Sequence, residues 1–165
     1  MTPDSAALDA AIRQSRHLLF AFDGTIVRTD TGNPVDSATP TVPYIYEAFA
    51  ACRESGRSVV VISPKQEIHV PNYLDAHDLF TQITAIAVSV ADAINFLEIA
   101  PDNCLHVTST PADIKAAQIA GIPSIGYVRT TDDAAHLVDA GAVAFVYSMA
   151  DLTVSLRARH NTGEL

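Results

Sequence analysis

His17–Val27 reads HLLFAFDGTIV, an apolar run of strand length that stops at Asp-Gly-Thr. Continuous rather than alternating apolar residues mark a strand buried on both faces, as in a parallel sheet covered by helices. Working outward, runs of the same kind recur at Ser58–Ile62, Ile83–Val88, Cys104–Val107, Ser124–Val128 and Ala144–Val146, and most are separated by segments with helical periodicity. Strand and helix alternate, which predicts an α/β fold: a three-layer Rossmann-like sandwich around a mostly parallel central sheet. Sites in such sheets lie beyond the carboxyl ends of the strands, so Asp23, Gly24 and Thr25 fall where chemistry is expected.

Helix punctuation fits this layout. Thr41 with Pro43 and Glu47 is read as one helix start, Ser89 with Asp92 as another, and Thr131 with Asp132 and Asp133 as a third. Gly56, Gly121 and Gly141 suit helix ends. Thr29–Pro40, TDTGNPVDSATP, concentrates turn formers without periodicity and is read as a loop too short to be a separate lid domain. The 165 residues are expected to form one domain, with its core at about 17–157 and loose termini including His160–Leu165.

Composition removes several classes of function. A net charge of −9 with ten Lys and Arg opposes binding to a phosphate backbone, so no nucleic-acid partner is expected. No run approaches the roughly 18 apolar residues of a membrane span, and a soluble, cytoplasmic protein is expected. Cys52 and Cys104 lie far apart and form no CxxC pair, which suits a reducing compartment and suggests neither a disulfide framework nor a zinc ribbon. The histidines, at 17, 69, 77, 106, 136 and 160, show no zinc spacing and are read mostly as surface or edge residues. Tyr73, Leu74 and His77 fall at helical spacing and read as packing; Tyr44 and Tyr46, near the loop expected to overhang the pocket, are candidates for a partner contact.

Three segments in order carry a resemblance: the strand ending in Asp23-Gly24-Thr25, the strand SVVVIS ending at Ser63, and Val107-Thr-Ser-Thr-Pro-Ala-Asp113. Over roughly residues 17–157 the chain resembles the haloacid dehalogenase-like (HAD-like) hydrolases, in a degenerate form without a substantial cap domain. IKAAQIAGIPSIGYV and GAVAFVYSMADL resemble the end of that fold. In the family the first Asp of DxDGT attacks phosphorus and the second acts as acid and base. Here the first place holds Ala21 and the second Asp23. The resemblance gives Ser63 the phosphoryl-binding hydroxyl, together with backbone amides at a following helix start. In the GDSxxD-like segment, which supplies acidic groups for Mg²⁺, Ser109 replaces the first acidic residue, Thr110 follows, and Asp113 remains. The family's lysine has no counterpart from Gln66 to Ile114; Lys65 is the nearby candidate.

These departures imply a pseudoenzyme, a catalytically impaired domain retained for binding a protein partner, a second copy of itself or a phosphorylated small molecule. The pocket expected from the resemblance is Gly24, Thr25, Ser63, Lys65, Ser109, Thr110 and Asp113, without metal or other cofactor. The alternative is a phosphohydrolase in which Asp23 orients a water molecule, Ser63 and Lys65 stabilise the phosphoryl group, and Asp23 and Asp113 hold Mg²⁺. Dehalogenation would need the same missing carboxylate. Three losses in one site also argue against a single engineered Asp→Ala change.

Overall fold

The computed structural model describes residues 5–64 and 69–161, the last three as backbone only. Six strands, β1 His17–Ala21, β2 Ser58–Ile62, β3 Ala85–Ala87, β4 Cys104–Thr108, β5 Ser124–Tyr127 and β6 Ala144–Val146, form one sheet in the order β3-β2-β1-β4-β5-β6. Every pairing is parallel. The helices are α1 Ser5–Gln14, α2 Ile45–Glu54, α3 Val70–Ala76, α4 Val90–Leu97, α5 Pro111–Ile119, α6 Thr131–Asp139 and α7 Met149–Asn161. All six apolar runs are strands; β1, β3 and β5 are shorter than their runs and β4 is one residue longer.

Side-chain parity builds the two outer layers. Leu18, Phe20, Val59, Val61, Leu105 and Val107 pack with α1, α2, α3 and α7 on one face. Leu19, Val60 and Ile62 pack with α4 and α5 on the other, where a further cluster joins α5 and α6 to β6. The chain crosses the sheet between β1 and β4, neighbours far apart in sequence, and the ends of those two strands make the crevice in which open α/β sheets bind ligands.

Local chemistry accounts for where helices begin. Ser89 caps α4 by accepting from Asp92 N at 3.0 Å, as its sequence suggests. The α6 cap lies one residue earlier than expected, because Thr130 and Asp133 form a reciprocal capping box. Thr41 caps nothing: it forms an antiparallel bridge with Val27, and α2 starts after Tyr44, held at φ 67. Gly56, Gly121 and Gly141 all follow helix ends at positive φ. The expectation of a loose N-terminus fails from Ser5 onward. Leu8 and Ile12 are buried in the core and α1 lies against α7 and β6, an amphipathic packing that the sequence reading left unassigned.

Thr29–Pro40 is a loop, and it is fastened. Asp36 N and Ala38 N bond to Thr39 Oγ1 and Asp36 Oδ1, both at 2.9 Å, while the Tyr73 hydroxyl donates to Thr39 O at 2.7 Å. His77 stacks on Tyr73 with ring centroids 4.3 Å apart, so the spacing of these two residues is indeed that of packing. Among the described residues no helix is long and apolar enough to cross a membrane.

Candidate functional site

β1 ends at Ala21, and the chain then turns tightly. Ile26 N and Val27 N both donate to Phe22 O at 3.1 Å, and Gly24 N donates to Val27 O at 2.9 Å. Gly24 sits at φ +77, and a Cβ there would lie 2.7 Å from Ser109 Oγ, so the DGT turn presses against the end of β4. Gly24→Ala therefore combines a left-handed alanine with a steric clash and should cost about 2 kcal/mol. A urea midpoint equal to that of the unmodified protein would show that Ser109 can move away.

A pocket of about 410 Å³ opens beside this turn, between the ends of β1, β2 and β4 and the first turns of α4 and α5. Ala21, Asp23, His106, Thr110 and Asp113 line it, with an apolar wall that includes Ile62 and Val90. Of the residues proposed from sequence, it thus gathers Asp23, Thr110 and Asp113 around the Ala21 methyl. Asp113 accepts from Thr108 Oγ1 at 2.9 Å, and its backbone N donates to the Thr110 cap at 3.3 Å. Ser63, Thr25 and Ser109 are buried and do not line it. Among the described residues the Thr25 and Ser109 hydroxyls have no hydrogen-bond partner. Gly24 lines a separate depression of about 270 Å³ with Arg28, Thr29, Arg129 and Tyr127. Lys65 lies outside the described residues. The 29–40 loop does not line the pocket beside Ala21; its bond to α3 and the Val27–Thr41 bridge hold it to one side.

Two side chains at the site escaped the sequence reading. His106, read with the surface histidines, is 1% exposed on a central strand, and burial lowers its pKa to about 4. Arg129, just past β5, donates from Nη1 to Thr29 Oγ1 at 2.9 Å and lies 3.7 Å from where a Gly24 Cβ would stand. Its position beyond a strand end was the available signal. Burial pushes the Cys52 thiol up to about 12 and the Cys104 thiol to about 11, so neither is a thiolate at neutral pH.

No family model matches the chain, and no curated protein is similar to it in sequence. Solved structures are similar. A predicted phosphatase from Clostridium acetobutylicum superposes with a TM-score of 0.74 at 17% identity, over 85% of this chain and 97% of that one. A HAD family hydrolase from Deinococcus radiodurans R1, crystallised with bound phosphate and sodium, gives 0.73 at 16%, over 93% and 98%. A haloacid dehalogenase-like family hydrolase from Streptococcus pneumoniae gives 0.70 at 13%, over 86% and 98%. The chain has a haloacid dehalogenase-like fold.

On that HAD-like frame the anion cradle expected from sequence is thinner. Pro64, directly after Ser63, has no amide N–H to offer, and the next described helix, α3, starts at Val70. At α5, Pro111 again lacks an N–H, and the Asp113 amide is spent on Thr110.

The donor set does not fit the Mg²⁺ centre that the fold implies. The Ala21 side chain has no oxygen, Ser109 offers a buried neutral hydroxyl, and no three His, Cys, Asp or Glu cluster among the described residues. Titration calorimetry should find Mg²⁺ binding in the millimolar range or weaker; micromolar affinity lost in Asp23→Asn and Asp113→Asn would show that two carboxylates suffice.

Proposed function

We propose that this HAD-like domain does not transfer phosphoryl groups through a covalent intermediate and acts by binding. The observation that carries the reading is the Ala21 methyl in the pocket at the end of β1, the place where the resemblance demands a nucleophilic carboxylate. The loss of an acidic group at Ser109 and the thin amide cradle point the same way. Of the occupants open to such a domain, a phosphorylated ligand would face Asp23 and Asp113 with no lysine or arginine among the described lining residues. A protein partner or a second copy is compatible with the exposed Tyr44 and Tyr46, although the Tyr46 hydroxyl is already bonded to His77 O at 2.6 Å.

A second reading keeps the chain a phosphohydrolase. It is favoured by the likeness to phosphatases and by the phosphate found in the Deinococcus structure, with Asp23 activating water at the pocket rim. Assays with p-nitrophenyl phosphate and Mg²⁺ separate the two: steady turnover that disappears in Asp23→Asn would overturn the binding reading.

A further inference from the structure

The pocket beneath Ala21 differs in character from a phosphate site. Its wall between α4 and α5 is formed by Val88, Val90, Ala91 and Ala116, and Ile62 closes it toward β2. Its floor is His106. The ring lies on the same face of the sheet as Leu19 and Ser124, its register partners, and Nδ1 is 3.2 Å from Ser124 Oγ. Among the described residues that is the ring's one hydrogen bond, and the residue, 1% exposed, meets the pocket as its floor. The second ring nitrogen is a hydrogen-bonding position that a ligand in the pocket would complete. Among the described residues, the ionisable side chains lining the cavity are Asp23, Asp113 and the neutral His106.

We propose that this pocket binds a small organic amine, its ammonium group donating to Asp113 and to His106 Nε2 and its apolar body between α4 and α5. The volume, about 410 Å³, lies in the range of small-molecule sites. With the His106 proton on Nδ1, donated to Ser124 Oγ, Nε2 accepts a hydrogen bond from the ligand; a cation nearby further favours the neutral ring. The Ala21 methyl adds apolar surface where an aspartate would have met the ligand with a second charge. The inference rests on the reading that the domain binds rather than hydrolyses, and specifies what it binds.

The experiment is calorimetry near neutral pH with n-hexylamine, n-hexanol, hexanoate and inorganic phosphate as separate probes, on the full chain. Hexylamine should bind at least tenfold more tightly than the other three. Asp113→Asn should weaken it at least tenfold, since asparagine can still accept from Thr108 and keeps the α5 start intact. Ala116→Leu, at an exposed helical position on the pocket wall, should abolish binding without lowering the melting temperature. Equal affinity for hexanol and hexylamine would remove the ammonium contact from the proposal. Tighter binding of phosphate, or hexylamine binding unchanged in both variants, would overturn it. Hydrolysis of p-nitrophenyl phosphate by the same preparation would instead strike at the binding reading, so the two failures are told apart.

Discussion

With Mg²⁺ present, the unmodified protein should hydrolyse p-nitrophenyl phosphate no faster than Asp23→Asn, and Ala21→Asp with Ser109→Asp should restore at most slight activity. Removing a nucleophile that acts in concert with its neighbours typically lowers kcat by roughly 10⁴–10⁶-fold, so either form without a carboxylate at 21 belongs near the assay floor. Putting the carboxylates back replaces only part of what is missing. An aspartate at 21 enters a pocket walled by Ile62 and floored by neutral His106, without a described lysine or arginine to hold it ionised against desolvation. At 109 the space is tighter still: the serine is 8% exposed and its Oγ would stand 2.7 Å from a Cβ at Gly24. The phosphoryl group would also meet Pro64 and Pro111 where amide donors are needed. Robust turnover by the double variant would mean that the two carboxylates were the whole deficit. Robust turnover by the unmodified chain, lost in Asp23→Asn, would establish direct attack by water.

The sheet was legible because each strand is a continuous apolar run, and such runs do not depend on knowing which neighbours they meet. The site was legible to the same extent: Asp23 and Asp113 stand at or just past strand ends, and a parallel sheet brings strand ends together. His106 was misread for want of a consequence already implied. If CLHVT is buried on both faces, no position along it is a surface position, and a histidine there must be covered whatever its polarity. Arg129 lies outside the Gln66–Ile114 stretch in which the resemblance places a cation, and its link to Thr29 is one that only the sheet order creates. The start of α3 could not be placed from Ser63 alone. A hydroxyl after a buried strand reads as a cap, but here His69 takes that role, its ring accepting from Asn72 N at 3.2 Å.

Acid should destabilise the protein through His106 before the carboxylates are protonated. In the unfolded chain the imidazole titrates near 6.5; in the fold, burial holds it down at about 4. Between these values the unfolded state binds a proton that the folded state refuses, so stability rises with pH across that window. It is fully present above 6.5, falls as the pH drops, and reaches its lower level near 4. Each pH unit of the gap is worth about 1.4 kcal/mol, which makes the whole loss about 3 kcal/mol, a large share of the 5–15 kcal/mol of a typical domain. Burial lowers the His17 pKa in the same direction, but that ring is partly open to solvent and its share is smaller. His106→Leu removes the titrating group while leaving Ser124 Oγ to lose one partner, so it should be less stable at pH 7 yet much flatter from pH 7 to pH 5. Urea unfolding at those two pH values tests the difference. Parallel losses in both proteins would mean that His106 accepts its proton inside the fold, in which case the ring flooring the pocket is charged in mild acid and an amine should then be repelled rather than held.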